Sequence, residues 1–255
     1  KKKAIAMNDA VIMDIIRNHT REAGVRELQR QLAAIIRKVT RKLVESSSAR
    51  QVVITQRDLH RYLGPIKYTH DMAEAKDEVG YVNGLSWTQV GGEILPVEVT
   101  KMPGRGKLII TGQLGDVMKE SATAALSYAR AKVAKYGIKE DFSRQDIHIH
   151  LPSGAIRKDG PSAGAALTTA LISLFLNKPV RRDVGMTGEM TLRGKLLEIG
   201  GVKEKMLAAY RAGLKTIVMP VENKKDLVDL PKEVKRKLKF IYAKTIDDVL
   251  KVALR

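Results

Sequence analysis

The hydrophobic rhythm of this 255-residue chain changes once, at Gly64-Pro65, and that change bounds what it can fold into. Before it, apolar residues recur at helical spacing. Asn8 or Asp9 can cap a segment with Val11, Ile12, Ile15 and Ile16 on one side. A longer segment follows with Val25, Leu28, Leu32, Ile35, Ile36, Val39 and Leu43. Glu45-Ser46-Ser47-Ser48-Ala49-Arg50 breaks the pattern, Val52-Val53-Ile54 reads as extended, and Thr55 caps a last helix over 57–63. These segments predict a unit of three or four helices whose core is too small to stand comfortably without a neighbour. Residues 66–79 are polar and without period, as in a linker. From Gly80 the text turns to mixed α/β. Strands are expected over 85–100 with a hairpin or bulge at Gly91-Gly92, over 108–111 and 147–151, within 184–199, and over 216–219 and 240–243. Helices are expected over 116–136, from Ser162, over 202–212, near Asp226 and from Ile246. The expected fold class is α+β: a small all-α subdomain over 1–65, a linker over 66–79 and a mixed α/β domain over 80–255.

Composition narrows the chemistry. There is no cysteine, which excludes disulfides, thiolate metal sites and a cysteine nucleophile. The longest apolar run, 163–176, is too short and too interrupted to span a bilayer, and no signal-peptide core is visible. The chain therefore reads as soluble, cytoplasmic and without a membrane partner. Lys1-Lys2-Lys3 begins abruptly, as in a piece of a longer protein. The net charge is +18, and residues 1–70 carry 15 basic side chains against 6 acidic. Such an excess suits a polyanion, and it suits a solvated helix face equally well.

One serine stands out. In Asp159-Gly160-Pro161-Ser162-Ala163-Gly164, Ser162 falls where a Gly/Pro turn becomes an apolar helix. A tight bend can present the hydroxyl beside the first N–H groups of the helix, which can receive an anion. A nucleophile needs that arrangement, and an ordinary N-cap looks the same.

A nucleophilic serine also needs a base. Of the five histidines, His19, His60 and His70 lie in the helical part or the linker. His148 and His150 share one strand face, with no third metal ligand placed beside them, so no metal site is expected. The alternative is a lysine kept neutral. Lys205, early in a helix with Val202, Ala208 and Ala209 around it, would be desolvated and opposed by the positive helix end. Lys203 is its rival on the opposite side of the same helix.

Asp159-Gly160-Pro161-Ser162-Ala163-Gly164, Met186-Thr187-Gly188-Glu189, Leu192-Arg193-Gly194 and Gly200-Gly201-Val202-Lys203-Glu204-Lys205, in that order, closely resemble the Lon protease family. So does Gly84-Leu85-Ser86-Trp87-Thr88. Residues from about 80 onward are similar to the family's proteolytic domain, and 1–65 to the helical subdomain after its ATPase core. The resemblance implies Ser162 as nucleophile and Lys205, rather than Lys203, as general base. It implies acyl transfer on peptide bonds, with the oxyanion met by N–H groups of the turn from Gly160 to Ser162 and of the start of the helix, and room for substrate beside Ala163 and Gly164. Thr187 is a candidate to hold Lys205. Asp159 and Glu189 are candidates for a latch or a substrate contact, and Arg193 for a surface ion pair.

The resemblance also implies unfolded or misfolded protein substrates, a homo-hexamer in the full-length protein, and ATP with Mg on an ATPase core. Arg26 matches the family's nucleotide-sensing position. No P-loop is present here: Gly104-Arg105-Gly106-Lys107-Leu108 lacks the first glycine and the Ser or Thr, and reads as a hairpin turn. This part of such a protein needs no cofactor and is expected to cleave peptides and unfolded chains only. The competing reading is a DNA-binding or assembly module with a weak or silent site, using Arg30, Arg37, Lys38, Arg41 and Lys42 on one helix.

Overall fold

A computed structural model describes residues 5–45, 51–68, 76–137, 140–152 and 158–255. His70, the Ser46-to-Arg50 break and half of the expected linker lie outside the described residues. Two compact units result, one within residues 1–70 together with Gln89–Gly91, the other within 71–88 and 92–255.

The first unit runs β1 (Ile5–Met7), α1 (Asp9–His19), α2 (Arg26–Glu45), β2 (Val52–Ile54) and α3 (Gln56–Leu63). Local chemistry sets each helix start. Asn8 Oδ1 accepts the Val11 N–H at 3.0 Å and caps α1. The Glu22 carboxylate accepts the N–H groups of Glu27 and Leu28 at the head of α2, and these bonds hold its pKa below the usual carboxylate value. Thr55 and Asp58 form a capping box on α3, which Gly64 ends at φ +83°. Val11, Ile15, Ile35, Val39, Ile54, Leu59 and Tyr62 form the core.

Two details depart from expectation. The unit is not wholly helical, because β1 pairs in parallel with β2. Val25 (69% exposed) and Ile36 (44%) lie off the buried stripe of α2, which runs through Gln31, Ile35 and Val39.

The second unit begins with β3 (Tyr81–Thr88), β4 (Gly91–Pro103) and β5 (Leu108–Thr111), then α4 (Asp116–Lys135) and β6 (Gln145–His150). It continues through α5 (Gly164–Leu176), β7 (Val184–Met186), the two-stranded β8 (Glu189–Met190) and β9 (Leu196–Leu197), and α6 (Val202–Arg211). It closes with β10 (Thr216–Pro220), α7 (Lys232–Lys237), β11 (Lys239–Ala243) and α8 (Ile246–Ala253). Seven strands form one sheet in the order β11-β10-β7-β3-β4-β6-β5. Pairs within β11-β10-β7-β3 are parallel, and β4 meets β6 antiparallel.

Strand alternation sorts side chains onto two layers. Val218 packs with Leu95, Val97 and Val99 against α4, α5 and α8. Ile217 and Met219 pack on the other side with Val202, Met206 and Ala209 of α6 and Val234 of α7. Helix α5 is buried from Gly164 through Ser173, which accounts for its apolar composition on every side. Among the described residues, no helix is long and apolar enough to cross a membrane.

Several expected boundaries shift. The segment near Asp226 is a 3₁₀ stretch, Val221–Asp229, and the charged helix α7 gives no apolar period to read. Gly104 to Lys107 does not turn a hairpin, since β6 lies between β4 and β5 in the sheet. The loop spans the end of β6, and Asp146 Oδ1 inside it accepts the N–H groups of Arg105 (2.7 Å) and Lys107 (2.8 Å).

Candidate functional site

Ser162 sits where a backbone distortion ends and a helix begins. Gly160 has φ +114° and ψ 157°, a conformation open in practice only to glycine. Pro161–Ala163 form one 3₁₀ turn, and α5 starts two residues later than the sequence suggests. The N-cap positions of the turn and of the helix are Gly160 and Ala163, neither of which makes a side-chain capping bond. The Ser162 hydroxyl is therefore not spent as an N-cap, and the residue is half-buried. Its carbonyl accepts the Gly188 N–H at 2.9 Å, which straps the turn to the end of β7.

Thr187 follows β7 directly, and its N–H continues the pairing onto Val218 of β10 at 3.1 Å. It lies at the carboxyl end of a parallel strand inside the sheet, where open α/β sheets place their ligands. Its buried hydroxyl donates to the Ser162 carbonyl at 3.3 Å and accepts from Lys205 Nζ at 3.1 Å. One threonine side chain thus joins the serine turn to the lysine.

Lys205 is fully buried, at 0% exposure, whereas Lys203 on the same helix is exposed. The neighbours of Lys205 on α6 include buried Val202, Met206, Ala208 and Ala209. Burial lowers its pKa from 10.5 to about 8, and desolvation is the whole cause. Among the described residues, no carboxylate acts on it. Because the Thr187 proton is directed at Ser162, that hydroxyl meets Nζ as an acceptor, and a neutral amine there keeps its lone pair for another partner. Among the described residues, no hydrogen bond joins Ser162 Oγ to Lys205 Nζ.

The remaining candidates separate from this cluster. Asp159 turns toward α4: its Oδ1 accepts the N–H groups of Met118 (3.1 Å) and Gly160 (2.9 Å), and its carboxyl group fills the space a side chain at Gly115 would need. It caps a helix rather than touching Lys205. The Gly160 N–H is thereby committed, as are those of Gly164 to Pro161 and of Ala165 to Gly188. Gly164 offers no room for substrate, because a Cβ there would lie 2.9 Å from the Met190 backbone nitrogen. Glu189 opens β8 and exerts no charge effect on Lys205, while Arg193 is exposed at the β8–β9 turn.

The histidines fall elsewhere. His148 and His150 share the Thr111 hydroxyl, at 2.9 and 2.7 Å. His19 is buried and His60 exposed. Among the described residues, no group of three or more His, Asp and Glu side chains is placed to hold a metal. In the first unit, Arg26 is exposed at the start of α2. Arg30 pairs with Glu27, Arg41 with Glu45, and Lys38 Nζ donates to the Tyr62 carbonyl, so part of the basic face is internally engaged.

Sequence reasoning missed Asn223. Buried, it accepts the Ile199 N–H at 3.0 Å and donates to the Ile199 carbonyl at 2.8 Å, pinning the segment that leads into Gly200-Gly201 and α6. Nothing local in the sequence marks it.

A buried low-pKa lysine thus joins the Ser162 turn through one hydroxyl, at the carboxyl end of a sheet strand, and comparison with known proteins gives the chain a family. Residues 53–255 match the Lon protease (S16) C-terminal proteolytic domain, and residues 1–52 the Lon protease AAA+ ATPase lid domain. The chain belongs to the Lon protease family and carries its proteolytic domain. It is 51% identical over 255 residues to the Lon protease of Dictyoglomus thermophilum, covering all of this chain and 32% of that protein. It is 54% identical over 254 residues to the Lon protease of Geobacter metallireducens, covering 99% of this chain and 31% of that protein. Identity to Lon protease 1 of Bacillus subtilis is 51% over 255 residues, all of this chain and 33% of the relative. The chain spans about a third of the length of these relatives.

Proposed function

We propose that the chain is a serine endopeptidase in which Ser162 is the nucleophile and Lys205 its general base. One observation carries this reading: the fully buried Lys205 ammonium, with its pKa lowered to about 8, rests on the same Thr187 hydroxyl that bonds the Ser162 turn. Neutral Lys205 takes the Ser162 Oγ proton as Oγ attacks a peptide carbonyl. The protonated lysine then gives that proton to the departing amine, leaving an acyl-enzyme. Water attacks the ester with Lys205 again as base, which releases the acid and restores Ser162. With Gly160, Gly164 and Ala165 committed, and the Ala163 N–H closing the 3₁₀ turn, the donor of this turn left for the oxyanion is the N–H of Ser162.

Only the neutral amine accepts a proton, so activity rises with pH through a midpoint near 8, and about a tenth of the sites are competent at pH 7. The test is a pH–rate profile on a short fluorogenic peptide. Ser162→Ala and Lys205→Ala should abolish turnover, and Lys203→Ala should retain it. Activity lost only in Lys203→Ala would assign the base to the wrong lysine.

In the whole protein, this part serves ATP-dependent removal of misfolded and regulatory proteins as a cytoplasmic homo-hexamer. ATP and Mg act there on an ATPase core, with Arg26 sensing nucleotide. Alone, the chain cleaves peptides and unfolded chains without ATP. Degradation of a stably folded substrate by this chain alone, with ATP added, would contradict that.

A further inference from the structure

The proposed base is held by a second set of contacts, on its backbone. Helix α6 begins at Gly201, whose φ of +66° is left-handed, and the Lys205 N–H closes the first turn on the Gly201 carbonyl at 3.0 Å. The indole of Trp87, at the end of β3, lies against Gly201: a Cβ there would meet Trp87 Cγ and Cδ1 at 2.3 Å. Glycine is thus required at 201 for its conformation and for the approach of the indole.

Across the hairpin, Gly92 near the start of β4 packs on the peptide that joins Glu204 to Lys205. A Cβ on Gly92 would lie 2.0 Å from the Glu204 carbonyl oxygen and 2.9 Å from the Lys205 nitrogen. Arg211, at the last turn of α6, donates from Nη2 to the Gly92 carbonyl at 2.7 Å. One residue of the hairpin therefore touches both ends of the lysine's helix. Trp87 is 53% exposed although it lies on a glycine of this turn.

We propose that the β3–β4 hairpin is the positioning element for Lys205: Gly92 and Trp87 set the backbone from which Nζ reaches Thr187, and a displacement of the hairpin is transmitted to the amine. The inference rests on Lys205 acting as base, and the physical coupling can be read without that assumption. Among the described residues, Nζ has one neutral hydroxyl acceptor and no carboxylate to hold it. A small shift of the Glu204-Lys205 peptide therefore withdraws it from Thr187 and admits water. Renewed hydration favours the charged form and raises the pKa.

The experiment compares wild type with Gly92→Ala, Trp87→Ala and Trp87→Phe, reading two quantities. One is the titration of Lys205, followed by NMR at its ε-carbon and assigned with Lys205→Met. The other is the pH dependence of kcat and KM on a short peptide. Gly92→Ala should raise the Lys205 midpoint by about one unit and lower kcat at least tenfold, with KM within threefold. Trp87→Ala should move both in the same direction by less, and Trp87→Phe should restore them. Folded Gly92→Ala and Trp87→Ala chains with Lys205 titrating as in wild type would overturn the proposal, as would a fall in kcat with no change in the titration. If Gly92→Ala does not fold, the Trp87 pair decides alone by the same criterion. A shifted titration with unchanged peptide cleavage would uphold the hairpin's role and remove Lys205 as the base.

Discussion

Replacing Lys205 by methionine should abolish peptide cleavage and make the protein more stable, by an amount that depends on pH. The unfolded lysine titrates at 10.5 and the buried one at about 8. Below pH 8 both states are protonated, and the fold bears the cost of a desolvated ammonium. That cost is about 3 kcal/mol at pH 7, from the linkage between the two pKa values. Between pH 8 and 10.5 the unfolded chain binds more protons than the native one, so wild-type stability rises with pH. The cost falls to about 1.4 kcal/mol at pH 9.5. Methionine fills a similar volume without a charge, and its packing contribution does not vary with pH. The stability gain of Lys205→Met over wild type should therefore shrink by about 2 kcal/mol between pH 7 and pH 9.5. Urea unfolding followed by the fluorescence of Trp87, the one tryptophan, measures it directly at both values. A gain that stays level across this range would refute the claim that Lys205 is held in a desolvated site.

Thr187→Val removes the acceptor of Nζ, which disfavours the ammonium, so the acidic limb of the pH–rate profile should move below 8 while the plateau falls tenfold or more. A limb displaced to higher pH would contradict the assigned hydrogen bond. Gly160→Ala places an L side chain at φ +114° and should cost about 1–3 kcal/mol, with kcat reduced far more than KM is changed. Equal activity would mean that the turn does not set Ser162. Asp159→Ala removes the contact with the Met118 N–H and should lower stability by about 1 kcal/mol, leaving the kinetic midpoint near 8. A shifted midpoint would show that the carboxylate acts on Lys205 after all.

Much of this was legible where chemistry is local. Asn8, Thr55 and Gly64 mark helix ends by groups within three or four residues of one another, and those marks hold. The buried stripe of α2 is shorter than the apolar spacing predicts, because Val25 precedes the helix and Ile36 shares the apolar character of the stripe without sharing its face. The 104–107 loop looks like a hairpin turn in sequence, since the insertion of β6 between β4 and β5 is a fact of topology that no window of sequence contains. Lys203 and Lys205 differ by two positions and by the whole contrast between solvent and core, which helical geometry suggests but only the surrounding packing decides. Asp159 carried the strongest family motif, and yet its carboxyl group faces α4, whose start lies more than forty positions earlier in the chain. Gly92 and Gly201 gave no local sign of their use, for a missing side chain has meaning only against the backbone or ring that occupies its place.

Helix α5 is enclosed along most of its length by the sheet and by flanking helices, so the serine at its head stands on something that cannot slide without dismantling the interior. In such an arrangement Ser162 is the fixed post. Any difference between an idle and a working form of the enzyme has to be made by the lighter parts around it, the single helix bearing the amine and the strap between residues 187 and 188, which meet the post through one hydroxyl and one amide.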